Sequence, residues 1–407
     1  MNQENPSTLL AETRSLDPET KQPCPARVIE KNGSVFLEKT FSSGKTQSVL
    51  VESDSEFYRR YAKAERIGKL RIVNNFFYIT SRCNLKCPVC FEGKREVKEP
   101  SLEKLCAELP NMRGPRVAIC GAEPTCRDDL PDLIRAINKR HAALLMTNGL
   151  KLADMKYLLS LREASLHYVI FSMNGMNDDV FRRTNGQALL DIKMKALDNL
   201  DQLGMSVALS ATITRGVNED QIGPLLELEK QKKSIHQMRF RSMAEVGCYV
   251  EGGQYFMSEF VKLICHQGGI DYNLWLRQQD FFEHLGRMLD IDYLRPRLCA
   301  MRADLDKDLV PLASDREWRD WNKAFMKKPR LAAKFLRTYG LKYSTHYLMD
   351  LFTRYRDTPH PRFRRVTVRT WPNRDTIDLN LNQRCSSIYH RDGELHPFCL
   401  GNILRTL

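Results

Sequence analysis

Between about residues 71 and 247, six short apolar runs alternate with longer stretches whose apolar residues recur at helical spacing. The runs are RIVNNFFYIT, PRVAIC, ALLMTNG, HYVIFSMNG, SVALSATITRG and HQMRFRSMAEVG. Between them lie SLEKLCAEL, DDLPDLIRAINKR, LADMKYLLSLRE, QALLDIKMKALDNLDQLG and NEDQIGPLLELEKQ. This alternation constrains the fold more than any other feature, because parallel neighbours need a crossover that lays a helix on the sheet. Six units are too few to close an eight-stranded barrel. The expectation is therefore an α/β fold with a partial (β/α)6, TIM-like barrel over 71–250, its chemistry gathered at the C-terminal ends of the strands.

The flanks read differently. Residues 1–22 are polar, lack a basic and then apolar leader, and are expected to be a flexible tail on a cytoplasmic protein. Residues 23–70 predict a small β-meander and a helix: ARVIE and SVFLEKTF flank Lys31-Asn32-Gly33, TQSVLVES follows, then SEFYRRYAKAERIG. Residues 251–360 read as consecutive amphipathic helices, and 361–407 as strand-like text, RRVTVRTW and TIDLNLN, ahead of RCSSIYHRDGELHPFCLGN.

SRCNLKCPVCFEGK, at the end of the first strand, places Cys83, Cys87 and Cys90 within eight positions. Disulfides do not suit a chain without export signals. A structural zinc takes four protein ligands, and a four-cysteine ferredoxin site fills every iron. Three thiols in one loop instead suit a cluster with one metal position left for an outside ligand. A zinc or ferredoxin site remains the alternative on spacing alone.

The spacing Cys83-x3-Cys87-x2-Cys90 resembles the radical S-adenosylmethionine superfamily. The resemblance implies a [4Fe-4S] cluster whose fourth iron binds S-adenosylmethionine. It also implies reductive cleavage to a 5′-deoxyadenosyl radical, which takes a hydrogen atom from the substrate. Further stretches are similar to the family in the same order along the chain. CGAEP resembles its Gly-Gly-Glu-Pro motif through Gly121, Ala122, Glu123 and Pro124, with Ala122 in place of the second glycine. MTNG supplies Thr147, Asn148 and Gly149, and FSMNG supplies Ser172 and Asn174 for ribose, although an acid is common where Asn174 stands. SATITRG offers Ser210, Thr212 and Arg215, with Arg215 pairing the methionine carboxylate. Phe91, directly after Cys90, belongs to the same implied cofactor pocket. A flavodoxin- or ferredoxin-type electron donor is implied as well.

The ends narrow the resemblance. RCSSIYHRDGELHPFCLGNI is similar to the opening of a SPASM or twitch domain, and both ends resemble the tetraether lipid synthase and pterin methylase group. That group's N-terminal module normally carries a metal-binding cysteine pair; here only Cys24 stands. An auxiliary iron–sulfur cluster would use Cys385 and Cys399 with help from Cys299, Cys248 or Cys265. The alternative is buried cysteines in a covering hairpin. Cys106 and Cys120 are expected in the core, and Cys126 is a candidate for the active-site wall.

Net charge is +13, and residues 315–342 carry nine Lys or Arg against three acids, interleaved with Trp318, Trp321, Phe325 and Phe335. Such helices suit peripheral contact with a membrane surface or ordinary packing on a barrel; nucleic acid is not expected. Arg239 and Arg241 alternate with Met238 and Phe240, so they share one face: toward the lumen they would hold phosphate or carboxylate, outward they would lie between helices. The expected activity is radical modification of a non-peptide small molecule, anionic or lipid-like. The reaction type (carbon–carbon bond formation, methylation, dehydrogenation or epimerisation) is left open. Two alternatives stand beside it: a peptide or protein maturase, and a nucleic-acid- or membrane-binding protein with a structural metal.

Overall fold

The computed structural model describes residues 7–66, 70, 72–92, 99–245, 247–248, 252–289, 292, 295–304, 365–391 and 393–406. The expected helices DREWRDWNKAFMKKP, RLAAKFLRTYG and THYLMDLFTRYR, with the basic stretch 315–342, lie outside these residues.

The six expected strands form as β5 (Asn74–Tyr78), β6 (Arg116–Cys120), β7 (Ala142–Thr147), β8 (Tyr168–Ser172), β9 (Ser206–Ile213) and β10 (Ile235–Ser242). Each pairs in parallel with the next. Their helix-facing residues, among them Phe77, Val117, Leu145, Phe171, Leu209 and Phe240, are fully buried in one core with the crossover helices. This is the partial barrel that the alternation predicts.

Two further strands extend it. β12 (Arg365–Arg369) adds in parallel to β10 at one edge, and β13 (Ser387–Arg391) adds in parallel to β5 at the other. β11 (Ala300–Asp304) pairs with β12, and β14 (Glu394–Pro397) with β13, both antiparallel, giving one ten-stranded sheet. Residues 365–391 thus run from one edge of the half-barrel to the other and cover both rows of otherwise unpaired backbone groups. TIDLNLN, read as a strand, is not one. Asp378 accepts from the backbone N–H groups of Asn380 and Leu381 at 2.9 and 3.0 Å and caps a helical turn, Leu379–Asn382.

A four-stranded antiparallel sheet precedes the barrel: β1 (Thr8–Leu16), β2 (Pro23–Lys31), β3 (Ser34–Thr40) and β4 (Thr46–Glu52). Asn32 and Gly33 both have positive φ, 53° and 75°, as a tight two-residue hairpin requires. The helix that follows is only Ser55–Tyr61. The flexible tail is corrected by β1, which pairs with β2 along most of its length. Its polar side chains have partners that sequence alone does not reveal: Ser15 Oγ donates to the Ile377 carbonyl at 2.7 Å, and Thr13 Oγ1 donates to Asp378 at 2.7 Å.

His390 on β13 is buried against Asn75 of β5, its Nε2 2.9 Å from Asn75 Oδ1, and burial pulls its pKa down to about 4. The unfolded chain therefore takes up a proton near pH 6.5 while the folded chain does not. Stability is full above pH 6.5 and falls as the pH drops from 6.5 to 4. The difference between the wild type and His390→Gln in urea melts across that window should amount to about 1–2 kcal/mol after solvent screening.

Candidate active site

The loop after β5 and the C-terminal ends of β6–β10 line a single cavity of about 880 Å3. It brings together Cys83, Cys87, Cys90, Phe91, Gly121, Ala122, Glu123, Thr147, Asn148, Ser172, Asn174, Ser210 and Thr212, with Arg241 and Cys248 beside them. Pro124, Arg215 and Arg239 do not line it. Pro124 is buried at the start of a 3-10 turn. Arg215 is corrected: its side chain is half-exposed and held by partners outside the cavity. Its guanidinium lies on the Tyr255 ring, 4.1 Å from the centroid, and donates to Glu259 at 2.8 Å. Cys120 packs against the buried cluster of Phe76, Tyr78 and Ala118 and also lines the cavity, whereas Cys126 does not reach it.

Glu123 is 1% exposed, and its carboxylate is a structural hub. Oε1 accepts from Thr125 N–H (3.1 Å), Thr125 Oγ1 (2.7 Å) and Thr147 Oγ1 (2.7 Å), and Oε2 accepts from Asn148 N–H at 2.6 Å. This ties the end of β6 to the end of β7. The sequence pattern missed Lys193, which looks like one more cation on an amphipathic helix, Leu190–Gln202. Its Nζ is buried, donates to the carbonyls of Asn148 (2.7 Å) and Ser172 (2.8 Å), and so ties β7 to β8. Desolvation lowers its pKa to about 8, opposed by the nearby Glu123 and Cys87.

Asn174 is also partly committed. Its Oδ1 accepts from Thr212 N–H at 3.0 Å and its Nδ2 donates to Asn185 at 3.3 Å, leaving one lone pair and one N–H for a ligand. Asn185 in turn donates to Cys87 Sγ at 3.4 Å, and Leu85 N–H donates to Cys83 Sγ at 3.4 Å. Burial pushes the Cys83 thiol up to about 12 and raises that of Cys87, so any metal binding there releases protons.

Among the described residues, no three His, Cys, Asp or Glu are placed to hold a single metal ion. The three thiols instead line a cavity large enough for a polynuclear cluster and an organic ligand. One feature of the wall fits such a ligand: Ser210 Oγ is buried without a partner among the described residues. Gly121 (φ 145°) packs so close to the segment after β5 that a Cβ would stand 2.4 Å from the Thr80 carbonyl oxygen, so only glycine lets this part of the wall form.

Residues 77–228 match the sequence profile of the Radical SAM superfamily. The barrel is a radical SAM domain. Its cofactors are accordingly a [4Fe-4S] cluster and S-adenosylmethionine, and the chain is an enzyme. The chain is 29% identical over 295 residues to the 7,8-dihydro-6-hydroxymethylpterin dimethyltransferase of Methanocaldococcus jannaschii, covering 63% of this chain and 58% of that one. It is 28% identical to the probable GTP 3',8-cyclase of Pyrococcus abyssi, covering 49% and 65%, and 35% identical to the Fe-coproporphyrin III synthase of Methanosarcina barkeri, covering 37% and 40%. The chain spans less than two thirds of the length of each.

A second, smaller cavity of about 140 Å3 is lined by Cys299, Cys385 and Cys399, and Trp371 forms a wall common to both cavities. Cys248 is corrected out of this set, since its N–H donates to the Cys90 carbonyl at 2.7 Å and it lines the main cavity. Cys265 is buried in the core. Burial raises the thiol of Cys299 and, well above its ordinary value, that of Cys399; Cys385 pushes both further up. Among the described residues no helix is long and apolar enough to cross a membrane.

Gly121→Ala should weaken S-adenosylmethionine binding at least tenfold, about 1.4 kcal/mol, in equilibrium dialysis of the reconstituted enzyme. Arg215→Ala should leave that affinity within about twofold, because its side chain points away from the cavity.

Proposed function

We propose that this radical SAM enzyme takes a hydrogen atom from a non-peptide, anionic small molecule held in the barrel lumen. The observation that carries the reading is the convergence of three loop thiols with the residues of five further strand ends on one 880 Å3 cavity. Cys83, Cys87 and Cys90 would hold the cluster. When bound, it supplies the electron that cleaves S-adenosylmethionine to methionine and the 5′-deoxyadenosyl radical.

The chain's own residues do the positioning. Phe91 lies 5.8 Å from Trp371 and parallel to Phe398 at 6.5 Å, giving an apolar, aromatic wall against which adenine would pack. Ser172, Ser210 and the free half of the Asn174 amide would take the ribose hydroxyls. Backbone beside Gly121 and Ala122 would meet the ammonium, with Glu123 fixing that backbone and supplying negative charge. Trp371 and Phe398 would exclude water from the radical's surroundings. Cys299, Cys385 and Cys399 would hold an auxiliary iron–sulfur cluster behind Trp371, since three thiols from two distant segments share one buried cavity.

Anaerobic reconstitution, dithionite and S-adenosylmethionine should yield 5′-deoxyadenosine, and the triple variant Cys83→Ala/Cys87→Ala/Cys90→Ala should yield none. Unchanged product in that variant would overturn the reading. The same variant should retain roughly half of the wild-type iron through the second set of cysteines; loss of all iron would remove the auxiliary cluster.

A further inference from the structure

We infer that Arg239, Arg241 and Arg369 form a phosphoryl-binding site in the floor of the barrel lumen, so that the substrate carries a phosphate or diphosphate group. Arg241 on β10 is the register partner of Arg369 on β12, and Arg239 lies two residues before Arg241 on the same face of the sheet. Neighbouring strands are only about 4.8 Å apart. The residues between them, Met238 and Phe240, are fully buried on the helix side, so the three guanidinium groups project into the concave side.

Below the main cavity lies another, of about 210 Å3, lined by Arg239 and Arg369 with Gln237 and Thr367. Phe76 and Ile170 line both cavities, and Arg241 lines the upper one, so the arginines stand where the two meet. No carboxylate lines the lower cavity among the described residues. Among the described residues none of the three arginines has a salt bridge or a side-chain hydrogen bond, and Arg241 Nε is buried without a partner. Arg295, which also borders this cavity, shows the contrast: Glu283 and Asp292 neutralise it at 2.9 Å each.

Three like charges gathered in a buried lumen are unfavourable unless an anion completes them. Burial and mutual repulsion pull Arg239 down to about 9 and Arg241 to about 10, which still leaves both charged at neutral pH. A single carboxylate cannot neutralise three guanidinium groups. A phosphoryl group brings two or more charges and oxygens that match the guanidinium fork. The anion site stands on its own geometry; only the placement of the rest of the substrate, in the upper cavity beside the cofactors, rests on the function proposed above.

The test is calorimetric titration of the full-length protein with inorganic phosphate, pyrophosphate and malonate, alongside thermal melts. Pyrophosphate should bind and raise Tm, malonate should bind at least tenfold more weakly, and Arg239→Gln and Arg369→Gln should each lower pyrophosphate affinity at least tenfold. Without ligand, both variants should melt at or above the wild-type temperature, because each removes a repelling charge. Arg135→Gln, at an exposed position far from this cavity, is the control. Absence of pyrophosphate binding to the wild type would overturn the proposal, whatever the variants do, and so would affinity unchanged in both variants. Tighter binding of dihexanoyl phosphatidic acid than of glycerol 3-phosphate would assign the phosphoryl group to a lipid, and the reverse order to a water-soluble ester. The triple cysteine variant should bind pyrophosphate like the wild type. Retained binding with no 5′-deoxyadenosine from the wild-type enzyme would therefore sink the radical reading and leave this one standing.

Discussion

The carboxylate of Glu123 holds the active-site end of the barrel in shape. Four donors from three residues converge on it: Thr125 from the turn after β6, Thr147 at the end of β7, and Asn148 just beyond it. Lys193 continues the chain of contacts from the Asn148 carbonyl to the Ser172 carbonyl, so the ends of β6, β7 and β8 are fixed relative to one another by two buried charges. Each charge is tolerated because nearly every bonding position around it is filled. A cofactor pocket built from the backbone of adjacent loops needs this rigidity, since loops not cross-tied would drift by more than a hydrogen bond allows.

Much of this was legible in the sequence because the relevant signals are local. The six strands, the cysteine loop and the small or polar residues at each strand end lie within a few positions of one another, and strand periodicity places them on the same side. Arg215 failed because its partners are distant in sequence: Tyr255 and Glu259 hold its guanidinium away from the cavity. What stayed hidden is non-local. Nothing near Lys193 distinguishes it from the exposed lysines of its helix, and only the close approach of two carbonyl groups explains its burial. Ser15 and Thr13 look like tail residues until Ile377 and Asp378 supply their partners from more than 360 positions away.

The segment 365–391 is the largest feature that periodicity could not locate. RRVTVRTW reads as a strand, but its text does not say that it extends the barrel beside β10, or that β13 closes the opposite edge against β5. Trp371 between them separates the main cavity from the cysteine cavity, so one side chain borders both.

That arrangement has a bearing on assembly. The six β/α units rest on contacts between sequence neighbours, which form early and cheaply as a chain emerges. The edge strands depend on contacts spanning more than 120 and more than 300 positions. A nascent chain can therefore complete the cofactor-facing wall while the lumen still lacks Arg369, Trp371 and two of the three clustered cysteines. Chain order thus separates the two parts in time: the β/α wall of the main cavity can mature first, and the segment that covers both edges of the barrel is fitted last.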